Sequence, residues 1–125
     1  MPRRRKPDIL AAAIGARIRQ LREEAGLTAE KLAYESELGS KGFLSDIEKG
    51  LARPSVTTLK VIADHLGVRL LDLVTFPADD PWQALVDRVR RLPAGAVRKL
   101  LKDTQGGEQR RRASTPTAAS LRMRP

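Results

Sequence analysis

Lys41, Gly42, Ser45 and Asp46 lie within six consecutive residues, Lys41-Gly42-Phe43-Leu44-Ser45-Asp46. Between them they offer a small, mixed set of hydrogen-bonding groups. Lys41 can donate to guanine O6 or N7, Asp46 can accept from cytosine N4, and the Ser45 hydroxyl can do either. Gly42 costs about 1 kcal/mol of helix propensity relative to alanine, and it removes bulk where a helix would come closest to the bases. Set opposite an apolar side made by Phe43, Leu44 and Ile47, these are the groups of a helix that enters the DNA major groove.

Other chemistries are poorly provided for. His65 is the single histidine and there is no cysteine, so a common zinc site has no ligands to complete it, and His65 reads as a helix-surface residue. Asp79-Asp80 precedes Pro81 and reads as a helix cap rather than a metal pair. Gly39-Ser40-Lys41-Gly42 lacks the glycine-rich spacing of a phosphate-binding loop. With no nucleophile–base set visible, neither an enzyme nor a cofactor nor a bound metal is expected. The lack of cysteine also removes disulfides and fits a reducing cytoplasm.

The reading residues need elements to position them, and the periodicity supplies these. Ile14, Ile18, Leu21 and Ala25 form one apolar stripe of a first helix over residues 9–25, with Arg17, Arg19, Arg22 and Glu23 off it. Gly26 supplies the stop. Thr28 is the N-cap of a second helix from Ala29 to Ser36, burying Leu32 and Ala33. After a turn at Glu37-Leu38-Gly39, Ser40 caps the third helix, which ends at Gly50. Ser55 caps a fourth helix, Val56 to Leu66, with Leu59, Ile62, Ala63 and Leu66 inward, and a short fifth helix follows over residues 70–74. Helix N-termini present free N–H groups to anions. The ends marked by Thr28, Ser40 and Ser55 are therefore the expected phosphate contacts, with Lys49 and Arg53 adding charge beside them.

Beyond Phe76 the pattern changes. Asp80 caps and Pro81 starts another helix, on which Trp82, Leu85, Val86 and Val89 recur at helical spacing. Val97, Leu100 and Leu101 then suggest one more short helix after Pro93. From Gly106 the periodicity disappears and a disordered tail is expected. The domain plan is thus a basic arm over 1–8, a DNA-binding domain over 9–76, a helical extension over 77–105 and a basic tail over 106–125.

Composition agrees with an all-α body. Apolar residues make up 41% of the 125, but aromatic ones only 3%, so the core must be aliphatic. The net charge of +9 is unevenly placed: Arg3, Arg4, Arg5 and Lys6 give residues 1–7 a charge of +4, and residues 106–125 carry another +4. Residues 8–76, with nine basic against ten acidic side chains, sum to −1. Basic arms on a nearly neutral body suit a polyanion partner held partly by its tails, and an arginine arm can enter a narrow minor groove. No apolar run is long enough for a membrane span, and no apolar segment follows the basic start as a signal peptide would require.

Residues 14–74 resemble the Cro/lambda-repressor-type helix–turn–helix proteins, also called the XRE family. The resemblance is carried by Ile14 through Arg22, Leu27-Thr28 with Leu32-Ala33, Leu44-Ser45 with Ile47-Glu48-Lys49-Gly50, and Arg53-Pro54-Ser55 before Leu59. Ala63-Asp64-His65-Leu66-Gly67-Val68 with Leu70 and Leu73 closes it. It implies a five-helix lambda-repressor-like domain. It also implies base reading by Lys41, Gly42, Ser45 and Asp46, and DNA-backbone contact by Ala29, Lys49, Arg53, Ser55 and Thr57. Arg22 and Glu48 are implied to pair structurally, and two-fold DNA sites imply a homodimer. Two departures stand out: Ala29 replaces a phosphate-holding glutamine found in many relatives, and the turn from Glu35 to Gly39 is one residue longer than usual.

The expected function is therefore a sequence-specific, cytoplasmic, nucleoid-associated regulator, acting on double-stranded DNA as a homodimeric repressor or autoregulator. Trp82, Leu85, Val86 and Val89 are the expected dimer face, the alternative being that Trp82 covers the core of its own subunit. An antitoxin with a toxin partner, or a restriction–modification controller, would share the same domain. A scaffold that has lost specific DNA binding is the reading of another class.

Overall fold

The computed structural model describes residues 8–114, with side chains to Gly107. Arg3, Arg4, Arg5 and Lys6 of the expected arm, and the chain beyond Ser114, lie outside the described residues. Seven helices and no strand are found among the residues described. They are α1 (Ile9–Glu24), α2 (Ala29–Glu35), α3 (Lys41–Glu48), α4 (Val56–Leu66), α5 (Leu70–Leu73), α6 (Pro81–Val89) and α7 (Ala94–Ser114). Helices α1–α6 belong to one compact unit that ends at Arg90, and α7 belongs to a second that starts at Arg91.

Every helix of the first unit except α5 starts where a short polar side chain satisfies a free amide. Thr28 Oγ1 accepts from Lys31 N at 3.1 Å, Ser40 Oγ from Phe43 N at 3.2 Å, and Ser55 Oγ from Thr58 N at 3.1 Å. Asp80 Oδ1 does the same for Gln83 N at 2.9 Å, with Pro81 at the first helical position. Each such cap is worth about 1 kcal/mol, which is why these boundaries fall where the caps put them.

The core is aliphatic. Ile18, Leu32, Leu44, Ile47, Ile62 and Leu73 are completely buried, and Leu21, Ala33, Ala52, Leu59, Ala63 and Leu66 pack among them. Helix α1 packs on α3 and α5, and α2 packs on α3 and α4. A Cβ on Gly15 would lie 2.1 Å from Ile47 O, so the approach of α1 to α3 depends on a missing side chain. In the α2–α3 turn Gly39 takes a positive φ (88°), and Glu37 also does (55°).

One placement within this unit differs from the sequence expectation. Arg17, set among the outward polar residues of the first helix, is 3% exposed. Its position lies one turn from both Ile14 and Leu21, at the edge of the buried face, and it stays there because carboxylate and carbonyl partners meet it. Trp82 and Leu85 do not cover the core of their own subunit: they are 80% and 57% exposed. The inward side of α6 is Asp87 instead.

In the second unit α7 begins after Pro93, whose carbonyl accepts from Val97 N at 3.2 Å. It runs on through Gly106 and Gly107 to Ser114, past the point where the loss of periodicity puts the start of the tail. Gln, Glu and Arg are good helix formers and a helix can propagate without an apolar stripe, so periodicity is not a guide to its end.

Candidate nucleic-acid interface

The geometry of α3 follows from its ends and its buried side. Ser40 holds the N-terminus, Leu44 and Ile47 anchor one face with no exposure, and Lys41 and Gly42 are left exposed while Ser45 and Asp46 are half-buried. A Cβ on Gly42 would meet nothing nearer than Ser40 Oγ at 3.7 Å, so the fold itself does not require glycine there. The Asp46 carbonyl accepts from Leu51 N at 2.8 Å and Ala52 N at 3.3 Å, which turns the chain sharply after the helix.

Arg22 and Glu48 lie together and fasten α1 to the end of α3. Arg22 Nε donates to Glu48 Oε2 at 2.8 Å and Nη2 to Oε1 at 3.0 Å, while Nη1 donates to Leu27 O at 2.8 Å. Both side chains are largely buried, at 12% and 8% exposure. The Glu48 carboxylate raises the Arg22 guanidinium above its ordinary value through its hydrogen bonds, against the opposing effect of burial. One bidentate pair thus sets the attitude of α3 on the body.

The expected phosphate contacts sit at three helix starts and one loop. Thr28, Ser40, Ser55, Thr57, Lys49 and Arg53 are exposed, and Ala29 is half-buried. The hydroxyls of Thr28, Ser40 and Ser55 are engaged as caps. Capping uses these oxygens as acceptors, which leaves the hydroxyl protons of Thr28 and Ser40 as donors beside the backbone N–H groups. Lys41 is not solitary either: its Nζ lies 2.7 Å from Glu30 Oε1 in the first turn of α2. Arg53 Nη2 donates to Asp8 Oδ1 at 3.2 Å, and Asp8 N donates to Gly50 O at 3.4 Å. These bonds root the start of α1 beside the loop that follows α3.

Sequence reasoning missed the polar link that holds α6. Arg17 Nη2 reaches Asp87 Oδ1 at 2.6 Å and Arg17 Nε donates to Asp72 O at 2.9 Å. Arg90 Nε donates to the same Asp87 oxygen at 2.8 Å, and its Nη2 to Glu24 Oε2 at 2.9 Å. Burial alone would raise the Asp87 carboxyl; hydrogen bonds from Arg17 and Arg90, with their charges, outweigh it and hold Asp87 down at about 2. The available signal for Arg17 was a charge three residues after Ile14 and four before Leu21, at helical spacing with the apolar stripe; Asp87, two residues after Leu85, carries no such signal.

With Asp87 inward, the apolar side of α6 faces out. Trp82, Leu85, Val86 and Val89 line a groove of about 320 Å³ with Leu71 of α5, together with Arg69, Asp72 and Arg90. His65 is exposed, its Nδ1 2.9 Å from Val61 O. Among the described residues no group of three potential metal ligands occurs, and no helix is long and apolar enough to cross a membrane.

Residues 13–74 match the model of the helix–turn–helix domain family. An uncharacterized HTH-type transcriptional regulator, y4dJ, of Sinorhizobium fredii (strain NBRC 101917 / NGR234) is 40% identical over 67 residues, 54% of this chain and 84% of that protein. The immunity repressor protein of Bacillus phage phi105 is 38% identical over 61 residues, 49% of this chain. The chain spans only 42% of that repressor's length. Among solved structures, a chain of the SinR protein/SinI protein complex superposes with a TM-score of 0.54 at 27% identity, over 77% of this chain and 98% of that one.

Proposed function

Because the chain belongs to the helix–turn–helix family of DNA-binding transcriptional regulators, we propose that it reads its DNA site by laying the N-terminal turns of α3 in the major groove. The observation that carries this reading is the division of α3 into a buried side, Leu44 and Ile47, and an outward side of Lys41, Gly42, Ser45 and Asp46. Lys41 donates to guanine, Asp46 accepts from cytosine and Ser45 adapts to either. The amide ends of α2, α3 and α4, with Lys49, Arg53 and Thr57, hold the phosphates on either side, and the basic residues Arg3, Arg4, Arg5 and Lys6 add an arm.

Residues 9–76 are the DNA-binding part in this reading, and residues 77–105 serve self-association. Supporting a second copy as the occupant of the α6 face is its apolar exposure, centred on Trp82 and Leu85. One reading helix touches only a few base pairs, so a two-fold pair is what gives a useful specificity ratio. A dimer seated at a promoter excludes other proteins from the groove, so repression, including of its own gene, needs no further contact. The site of action is the cytoplasm, on the nucleoid.

The test is a selection from random duplexes at physiological salt, followed by titration of the enriched sequence against a scrambled one. An inverted repeat with centres about one helical turn apart is expected. Replacing Lys41 and Ser45 together by alanine should weaken binding to that sequence at least tenfold, about 1–3 kcal/mol per lost base contact, with unchanged melting temperature. No enrichment, with affinity that merely collapses as salt rises, would leave only nonspecific polyanion binding.

A further inference from the structure

Glu30 is absent from every expected DNA contact, yet it holds the first residue of the reading helix. Its Oε1 accepts from Lys41 Nζ at 2.7 Å, with side-chain exposures of 70% for Glu30 and 58% for Lys41. An ion pair so exposed contributes little to stability, so the fold gives no reason for it. It does bridge the first turn of α2 and the start of α3. With Ala33, Tyr34, Gly39 and Ser40 the pair lines a depression of about 200 Å³. The Lys41 hydrogen bond and charge hold the Glu30 carboxyl below its usual range, so it is ionised at neutral pH.

We propose that Glu30 is a specificity-determining residue: it neutralises Lys41 toward phosphate and leaves it available to a base acceptor in the groove. The proposal rests on the reading of α3 given above. An unpaired lysine is drawn to any phosphate, and that attraction carries no sequence information. A carboxylate in contact with the ammonium cancels most of it and sets a negative charge against an approaching phosphate. A guanine edge is uncharged and offers O6 and N7. The ammonium has three N–H donors, so it can keep Glu30 on one and give another to guanine. Glu30 thereby gains specificity by weakening the wrong complexes more than the right one.

The experiment compares the full chain with its Glu30→Gln, Lys41→Gln and doubly substituted variants. Each is titrated by fluorescence anisotropy against the selected duplex and a scrambled duplex across a salt series. For Glu30→Gln, affinity for scrambled DNA should rise about three- to fivefold. The slope of log K against log salt on that DNA should steepen by about 0.9, one added phosphate contact. Affinity for the selected duplex should change by about twofold or less, so the specificity ratio falls. In the Lys41→Gln background the same substitution should leave the slope unchanged. Equal gains on both duplexes, no gain on scrambled DNA, or a slope change that survives without Lys41 would each overturn the proposal. A parent protein that fails to prefer the selected duplex would refute base reading by α3 instead, while the slope on scrambled DNA would still report on Glu30.

Discussion

Gly15 and Gly42 are both helical glycines, and their neighbours give them opposite consequences. At Gly42 a Cβ meets only Ser40 Oγ, at ordinary contact distance. Gly42→Ala should therefore stabilise the free protein by up to about 1 kcal/mol. The same methyl would stand on the side offered to the bases, so affinity for the selected duplex should fall about tenfold or more. Thermal melting and anisotropy titration on one sample would show the two effects moving apart; a variant that binds as tightly as the parent would remove α3 from the groove. At Gly15 the methyl would sit 2.1 Å from Ile47 O, and backbone cannot swing aside. Gly15→Ala should cost at least about 1–3 kcal/mol in urea unfolding. The need for a glycine at residue 15 is invisible in the sequence, because it arises from a helix that lies over thirty residues away along the chain.

At the scale of the element, α6 is held by charge where its neighbours are held by aliphatic packing. Asp87→Asn removes the charge facing Arg17, which has only 3% exposure, and an uncompensated buried charge costs about 3–5 kcal/mol. The pH dependence has a definite sign. Asp87 titrates at about 2 in the folded chain against an ordinary value of about 3.9 when unfolded. Its contribution is complete above the unfolded value and is lost as pH falls toward 2. The difference in unfolding free energy between parent and Asp87→Asn should shrink by roughly 2 kcal/mol between pH 6 and pH 2. Denaturant melts across that range provide the check, and a difference independent of pH would mean that Asp87 does not hold α6 through its charge.

At the scale of the molecule, the proposed dimer and the charge distribution act together. Leu85→Glu places a charge in the middle of the exposed α6 groove without touching the Asp87 side. Sedimentation should then show a monomer, and cooperative binding to the inverted repeat should give way to weak binding of single half-sites. A variant that remains dimeric would place the two-fold contact elsewhere. In the proposed reading, the near-neutral body and the strongly basic termini divide the work between site recognition and attraction to the polyanion.

Most of the domain was legible from local rules. Thr28, Ser40, Ser55 and Asp80 announce four helix starts because a capping hydroxyl or carboxylate bonds an amide only three residues on. The inward residues of α3 and α4 follow from a 3.6-residue period. The outward set of α3 was legible for the same reason, as the remainder of that period. What local rules do not contain is the identity of partners distant in sequence. That Lys41 meets Glu30, that Arg53 meets Asp8, and that Arg17 turns inward to Asp87 depend on how whole helices cross. The same crossing decides that Trp82 and Leu85 face outward, since α6 can bury only one side and Arg17 claims the one that carries Asp87. Caps and period place the starts of α2, α3, α4 and α6 and the side chains that α3 turns outward, but not the end of α7. Which charges meet depends on the crossing of whole helices, because pairing requires two surfaces in register and a single helix specifies only its own.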